Sequence, residues 1–243
     1  KNIFRLRGDN MKKMKVLIII PAYNEELNIV KTVEDVKKNT NYDYVVINDG
    51  SKDNTKEVCE KEKFNLVSLP INYGLTSAIQ VGMKYALANN YDIAIQFDGD
   101  GQHQAKELNK LVEEIENGND ISIGSRFVTK SKPKTMRMLG SNLITTIIKL
   151  TTGVTIKDPT SGMRAYNKAT IKELVNNSGL SPEPDTIVYM LKKKKKIKEV
   201  QVEMKEREFG ESYLKPLRAM KYMINMFCSI IFIRTFTRKD KEG

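Results

Sequence analysis

Five short apolar runs, each closing on a cluster of polar, turn-forming residues, constrain this chain more than any other feature. The runs are Val16–Ile20, Tyr44–Ile47, Leu66–Leu69, Ile93–Phe97 and Ile121–Ile123. Their unbroken apolar character suits strands buried on both faces. Helical patterns separate them, over roughly 26–39, 54–62, 76–90 and 105–117, and the first sets Leu27, Val30, Val33 and Val36 at helical spacing. Strands alternating with helices predict an α/β architecture: a mostly parallel, twisted sheet flanked by helices.

After Arg126 the alternation breaks. A basic stretch, Lys130-Ser131-Lys132-Pro133-Lys134, precedes a helical pattern over about 136–150. Short elements follow, then a helix near 183–194, a strand near 197–204 and a last helical segment over about 215–236. The expected division is a basic N-terminal extension over 1–14, one α/β domain over 15–214, and an amphipathic helix with a basic tail over 215–243. The extension holds no apolar core of secretory type, so no signal peptide is expected, and the residues before Met11 suit either native sequence or a disordered extension ahead of a natural start there. Cys59 and Cys228 match no metal-ligand or redox spacing, which assigns them ordinary packing roles.

In an open parallel sheet, ligands bind outside the carboxyl ends of the strands. Those ends read Pro21-Ala22-Tyr23-Asn24-Glu25, Asn48-Asp49-Gly50-Ser51, Asn72-Tyr73-Gly74, Asp98-Gly99-Asp100-Gly101-Gln102-His103 and Gly124-Ser125-Arg126. Two carboxylates directly after a buried strand are costly unless they bind a cation or stay in water. Hard oxygen ligands of this kind suit Mg²⁺ or Mn²⁺, and a simple acidic turn is the plainer alternative. An EF-hand is excluded, because Asn109 stands where a bidentate glutamate belongs. Asn24 and Glu25 also suit a helix start. Asp49 suits either a nucleobase contact or an Asp-Gly turn. No G-x-G-x-x-G follows the first strand and no G-x-x-x-x-G-K-[ST] occurs, which argues against dinucleotide oxidoreductases and P-loop NTPases.

Taken together, Pro21–Glu25, Asn48–Ser51, Asn72-x-Gly74 and Asp98-x-Asp100-x-Gln102-His103 resemble the family 2 glycosyltransferases of GT-A (Rossmann-like) fold. The later segments Asp158-Pro159-Thr160-Ser161-Gly162-Met163-Arg164 and Arg207-x-x-Gly210-x-Ser212 resemble its dolichyl- and polyprenyl-phosphate hexosyltransferase branch. The resemblance implies that 15–214 is a catalytic domain in which Pro21, Tyr23, Glu25 and Asp49 hold the nucleoside of a UDP- or GDP-sugar. It implies that Asp98, Asp100 and Gln102 coordinate Mg²⁺ or Mn²⁺ on the donor diphosphate. Arg207 and Ser212 would reach that diphosphate, and Arg126, Arg137 and Ser141 would hold the phosphate of a polyprenyl acceptor. Asp98, Asp100, Arg126 and Arg207 are the residues it charges with catalysis, an inverting hexosyl transfer. Asn48, Met163 and Tyr213 depart from the pattern, and Lys215 is the residue placed to supply the charge that Tyr213 lacks.

The acceptor decides whether a base is needed. A hydroxyl must lose a proton, whereas a phosphate monoester, with a second pKa near ~6, is mostly ionised already. The arginines favour phosphate. For a hydroxyl acceptor in polysaccharide assembly, Glu183 and Asp185 are the candidate bases, and His103, the only histidine, suits orientation or packing. The net charge of +11, from 41 basic and 30 acidic residues, suits either an anionic partner or a solubilising lysine-rich surface. Nucleic acid is not the expected one, since no recognition motif or aromatic-basic stacking run is present. Met220–Phe236, interrupted by Lys221, Asn225 and Arg234, falls short of the ~20 residues that span a bilayer. It reads either as an interfacial helix at the cytoplasmic face, with a small membrane-embedded protein as a further expected partner, or as an apolar helix packed on the domain or on a partner subunit.

Overall fold

The computed structural model describes residues 14–133, 135–177, 180, 183–205 and 225–231, with only the backbone described for Met136 and Arg137. Seven strands form one sheet: β1 (Val16–Ala22), β2 (Asp43–Asn48), β3 (Leu66–Ser68), β4 (Ile93–Gln96), β5 (Ile121–Ser125), β6 (Arg164–Asn167) and β7 (Ile197–Gln201). Helices α1 (Ile29–Asn39), α2 (Thr55–Lys61), α3 (Leu75–Ala88), α4 (Leu108–Glu116), α5 (Met136–Thr152), α6 (Lys168–Asn176) and α7 (Pro184–Lys192) flank it. The spatial order is β3-β2-β1-β4-β6-β5-β7.

Every residue of β1 is buried, and the period-2 rule of a strand divides its side chains between two cores. Leu17 and Ile19 pack with Ile79 and Met83 of α3 and with Ile144 and Ile148 of α5. Val16, Ile18 and Ile20 pack on the other face with Val33 and Val36 of α1 and Leu108 and Leu111 of α4. Covering both faces is what continuous apolar strands require. Cys59 sits in the second core, where burial pushes its thiol up to about 11. Cys228 is exposed, so the packing role expected for both cysteines holds only for Cys59.

The chain winds from β1 through β2 to β3, then crosses back to lay β4 on the other side of β1. That reversal opens a crevice outside the carboxyl ends of β1 and β4, where α/β sheets bind ligands. Beyond β4 the mostly parallel sheet takes in an antiparallel strand. β6 runs antiparallel to both β4 and β5, while β7 is parallel to β5. The segment entering β6 is held at the carboxyl edge by Arg126 and Gly124, as described below, so β6 can only leave that edge and run backwards. The strand expected over 197–204 ends at Gln201; the chain then continues along the edge, with Val202 N donating to Ser125 O at 3.0 Å and Lys205 N to Gln102 O at 2.8 Å.

Residues 225–231 are helical. Ile230 there is fully buried in the first core, and Ser229 Oγ donates to Asp185 Oδ2 at 2.6 Å. No helix among the described residues is long and apolar enough to cross a membrane.

Candidate active site

The first three strand ends lock to one another through short polar contacts. Asn24, in a left-handed conformation, accepts from Lys52 N through Oδ1 at 2.8 Å, and its own N–H donates to Ser51 Oγ at 3.0 Å. Glu25 is buried, with Thr55 Oγ1 accepting its N–H at 2.9 Å and Asn28 Nδ2 donating to its Oε2 at 2.7 Å. Asp49, 3% exposed, spends both carboxylate oxygens on the next loop: Oδ1 accepts from Tyr73 N at 2.9 Å and Oδ2 from Gly74 N at 2.8 Å. Gly50 permits this approach. A side chain there would fall 2.3 Å from the Ile71 carbonyl carbon, and its φ of +62° is one that glycine adopts freely. Pro21 is buried and Tyr23 half-buried on the same rim. The rim expected to hold a nucleoside is therefore built from three interlocked loops, and Asp49 is the clamp between two of them.

Asp98 and Asp100 follow β4 in the crevice. Asp98 receives Gln96 Nε2 at 3.3 Å on Oδ1, and its side chain is 30% exposed. Its own N–H donates to His103 Nδ1 at 2.9 Å. A nitrogen that accepts cannot carry a proton, so His103 is held as the tautomer protonated on Nε2, which lies 3.6 Å from Asp98 Oδ2. His103 is buried edge-on against Phe97, which suits the orienting or packing role expected of it. Asp100 Oδ1 accepts from Gln102 N at 3.0 Å, folding the loop so that Asp98, Asp100 and Gln102 share one short turn.

A divalent cation fits this turn. Gly162 faces Asp98 so closely that a side chain there would stand 2.4 Å from Oδ2, so the carboxylate keeps its position only against bare backbone. No group of three His, Cys, Asp or Glu side chains with metal-site geometry occurs among the described residues. Mg²⁺ typically takes one or two carboxylates and fills its remaining positions with water and substrate phosphates, so two aspartates beside an amide suit a site completed by a diphosphate.

The other wall is cationic. Arg126, after β5, makes a bidentate pair with the fully buried Asp158, Nε to Oδ2 at 2.8 Å and one Nη to Oδ1 at 2.9 Å, and its backbone N–H also donates to Oδ2 at 3.1 Å. Glu199 of β7 accepts the N–H groups of Lys157 and Asp158 at 2.7 and 2.8 Å. Ser161 Oγ donates to Gly124 O at 2.5 Å, and buried Arg164 donates to Ser161 O at 2.9 Å and Pro159 O at 2.7 Å. A cleft of about 400 Å³ opens beside Arg126, lined also by Gln104, Phe127, Lys130, Glu203 and Met204. Ser141, on α5, is buried and accepts from Lys132 Nζ at 2.9 Å. Burial holds the Lys132 ammonium below its ordinary range, partly offset by Asp158 and Glu199 and reinforced by Arg126.

The sequence-expected residues Pro21, Tyr23, Glu25, Asp49, Asp98, Asp100, Gln102, Arg126 and Ser141 thus lie on or beside one sheet edge. Arg207 and Ser212 fall outside the described residues, as do Gly210, Tyr213 and Lys215, and the Arg137 side chain is not described. Asp185 accepts from Thr186 N at 2.7 Å and from Ser229, so its oxygens serve the packing of α7 and the segment 225–231. Sequence reasoning assigned no role to Lys132, Asp158, Gly162 or Glu199. Lys132 was hidden inside a lysine-rich stretch, and Glu199 was a lone acid in a predicted strand, its buried partners invisible in the sequence.

The glycosyl transferase family 2 model matches residues 17–175. Dolichol-phosphate mannosyltransferase of Pyrococcus furiosus is 32% identical over 229 residues, covering 88% of this chain and 63% of that protein. Polyprenol monophosphomannose synthase of Mycolicibacterium smegmatis is 27% identical over 212 residues, covering 82% and 80%. Among solved structures, glucosyl-3-phosphoglycerate synthase of Mycobacterium tuberculosis, in complex with Mn²⁺, UDP-glucose and phosphoglyceric acid, superposes with a TM-score of 0.64 at 17% identity, covering 92% of this chain and 80% of that one. That likeness shows the GT-A-like fold. With a matching family model over most of the domain and a carboxylate turn at the sheet's point of reversal, the chain belongs to glycosyl transferase family 2.

Proposed function

We propose that the protein transfers a hexose, with inversion, from a UDP- or GDP-sugar to a polyprenyl phosphate at the cytoplasmic face of the membrane. The product would be a lipid-linked sugar for cell-surface glycan synthesis. One observation carries the reading: the short loop 158–162 touches both halves of the site. Its Asp158 grips Arg126, and its Gly162 abuts Asp98. A donor diphosphate at Asp98 and an anionic acceptor at Arg126 would meet across a spacing set by that loop. The names of the curated relatives, which are transferases to dolichol, polyprenol and undecaprenyl phosphates, support the acceptor class.

Sugar transfer leaves positive charge on the anomeric carbon and negative charge on the departing diphosphate. A bound Mg²⁺ or Mn²⁺ would supply Lewis-acid stabilisation of that leaving group. Asp98, Asp100 and Gln102 would hold the cation, and Arg207 and Ser212 would add donors to the diphosphate. The Pro21, Tyr23, Glu25 and Asp49 rim would seat the nucleoside. Arg126, Arg137 and Ser141 would orient the acceptor phosphate, which is mostly deprotonated near neutral pH and attacks without a base. Locked His103 and the bonded Asp185 fit a reaction that asks neither for proton abstraction.

The test is product formation from UDP- and GDP-hexoses with polyprenyl phosphate in detergent and Mg²⁺ or Mn²⁺. We expect a lipid-phosphate sugar of opposite anomeric configuration, abolished by EDTA and reduced about a hundredfold or more in Asp100→Ala. Donor binding without transfer to any lipid phosphate would replace this reading with a hydroxyl acceptor. A segment 215–243 that meets the lipid surface or a small membrane-embedded protein belongs to the same proposal.

A further inference from the structure

Beside Arg126, Lys132 has no carboxylate within ion-pair distance of its ammonium among the described residues. Its Nζ donates to Ser141 Oγ at 2.9 Å and Thr145 Oγ1 at 3.4 Å, two hydroxyls that carry no charge. It stands 5.6 Å from the centroid of the Phe127 ring, and the Arg126 guanidinium stands 5.1 Å from the same centroid. The nearby carboxylates are occupied. Asp158 is taken by Arg126 and Glu199 by two backbone N–H groups, while the neighbouring Lys130 pairs with Glu203 at 3.2 Å. A half-buried ammonium held by neutral oxygens, close to a second cation, is costly unless an anion completes the arrangement.

We propose that Lys132 binds the phosphate monoester of the acceptor, together with Ser141 and the exposed side of Arg126. The inference rests on the phosphate-acceptor reading above and adds a residue to it. The two cations would differ in kind. Arg126 is fixed by a bidentate pair and sets position, whereas Lys132 hangs from two hydroxyls that can reorient and accept or donate as the anion arrives. The Ser141 hydroxyl, already paired with Nζ, would turn its proton toward the phosphate.

The experiment measures binding of dodecyl phosphate, and of dodecanol as the uncharged control, to wild type, Lys132→Met and Lys132→Arg. Acceptor and donor KM are measured in the transfer assay alongside. We expect wild type to prefer the phosphate and Lys132→Met to lose about 10- to 100-fold in phosphate affinity and acceptor KM, with donor KM unchanged. Lys132→Arg should recover most of that loss. Equal phosphate binding by wild type and Lys132→Met overturns the inference, as does a parallel loss for donor and acceptor with a lowered Tm, which would mark Lys132 as a structural tie for α5. A 3-phosphoglycerate arm separates the sources of phosphate. Transfer to that soluble acceptor alone, still sensitive to Lys132→Met, keeps the inference and overturns the lipid acceptor. Transfer only to a hydroxyl overturns both. Lipid transfer indifferent to Lys132→Met overturns the inference alone.

Discussion

Asp98 stands where it does because residue 162 has no side chain. A methyl group at that position would sit 2.4 Å from Oδ2 and 3.1 Å from Cγ, and the opposing loop is tied down by Ser161 and Arg164. Gly162→Ala should therefore displace the carboxylate, lowering kcat at least tenfold and costing about 1–3 kcal/mol of stability in denaturant titration. Full activity in that variant would mean that the loop moves freely. Asp49 teaches a related lesson. Its sequence context allowed either a base contact or a local turn, and the carboxylate also clamps backbone two dozen positions away, at Tyr73 and Gly74. Such a partner leaves no trace in the residues around Asp49. Asp98 and Asp100 were legible because their chemistry lies within one turn and because an acid pair after an apolar strand has few explanations.

At the scale of elements, the first five strands could be read from their apolar runs; burial on both faces leaves a continuous signature in β1, β4 and β5, and β3 keeps an apolar run though it is only half-buried. β6 could not. It is four residues long, it begins with a buried arginine whose donors serve its own entry loop, and its direction depends on contacts made by Asp158 and Ser161. The helical residues 225–231 raise a similar point. The amphipathic pattern there suited either an interfacial helix or one packed on the domain, and Ile230 is fully buried with Ile144, Ile148 and Val188 in its cluster. Ile230→Ala should cost about 2–5 kcal/mol, read as a lower denaturation midpoint at unchanged slope. An unchanged midpoint would detach this segment from the core.

Over the whole molecule, the formal charge of +11 is a long-range property independent of any one pocket. If the protein works at an anionic bilayer, its co-sedimentation with phosphatidylglycerol vesicles should fall steeply between about 50 and about 500 mM salt, and neutral vesicles should retain little of it. Binding indifferent to salt would shift the contact to apolar groups such as the exposed Phe227 and Ile231. By itself the sequence determined the α/β class and the gathering of polar strand ends, the two aspartates after β4 among them, at one edge of the sheet, because each depends on neighbours within a few residues. Only the tertiary structure decided the antiparallel return of β6, the commitment of Arg126 to Asp158 and the isolation of Lys132 from any described carboxylate partner. Those depend on which distant residues share a buried, weakly screened space, and there a single ion pair outweighs local preference.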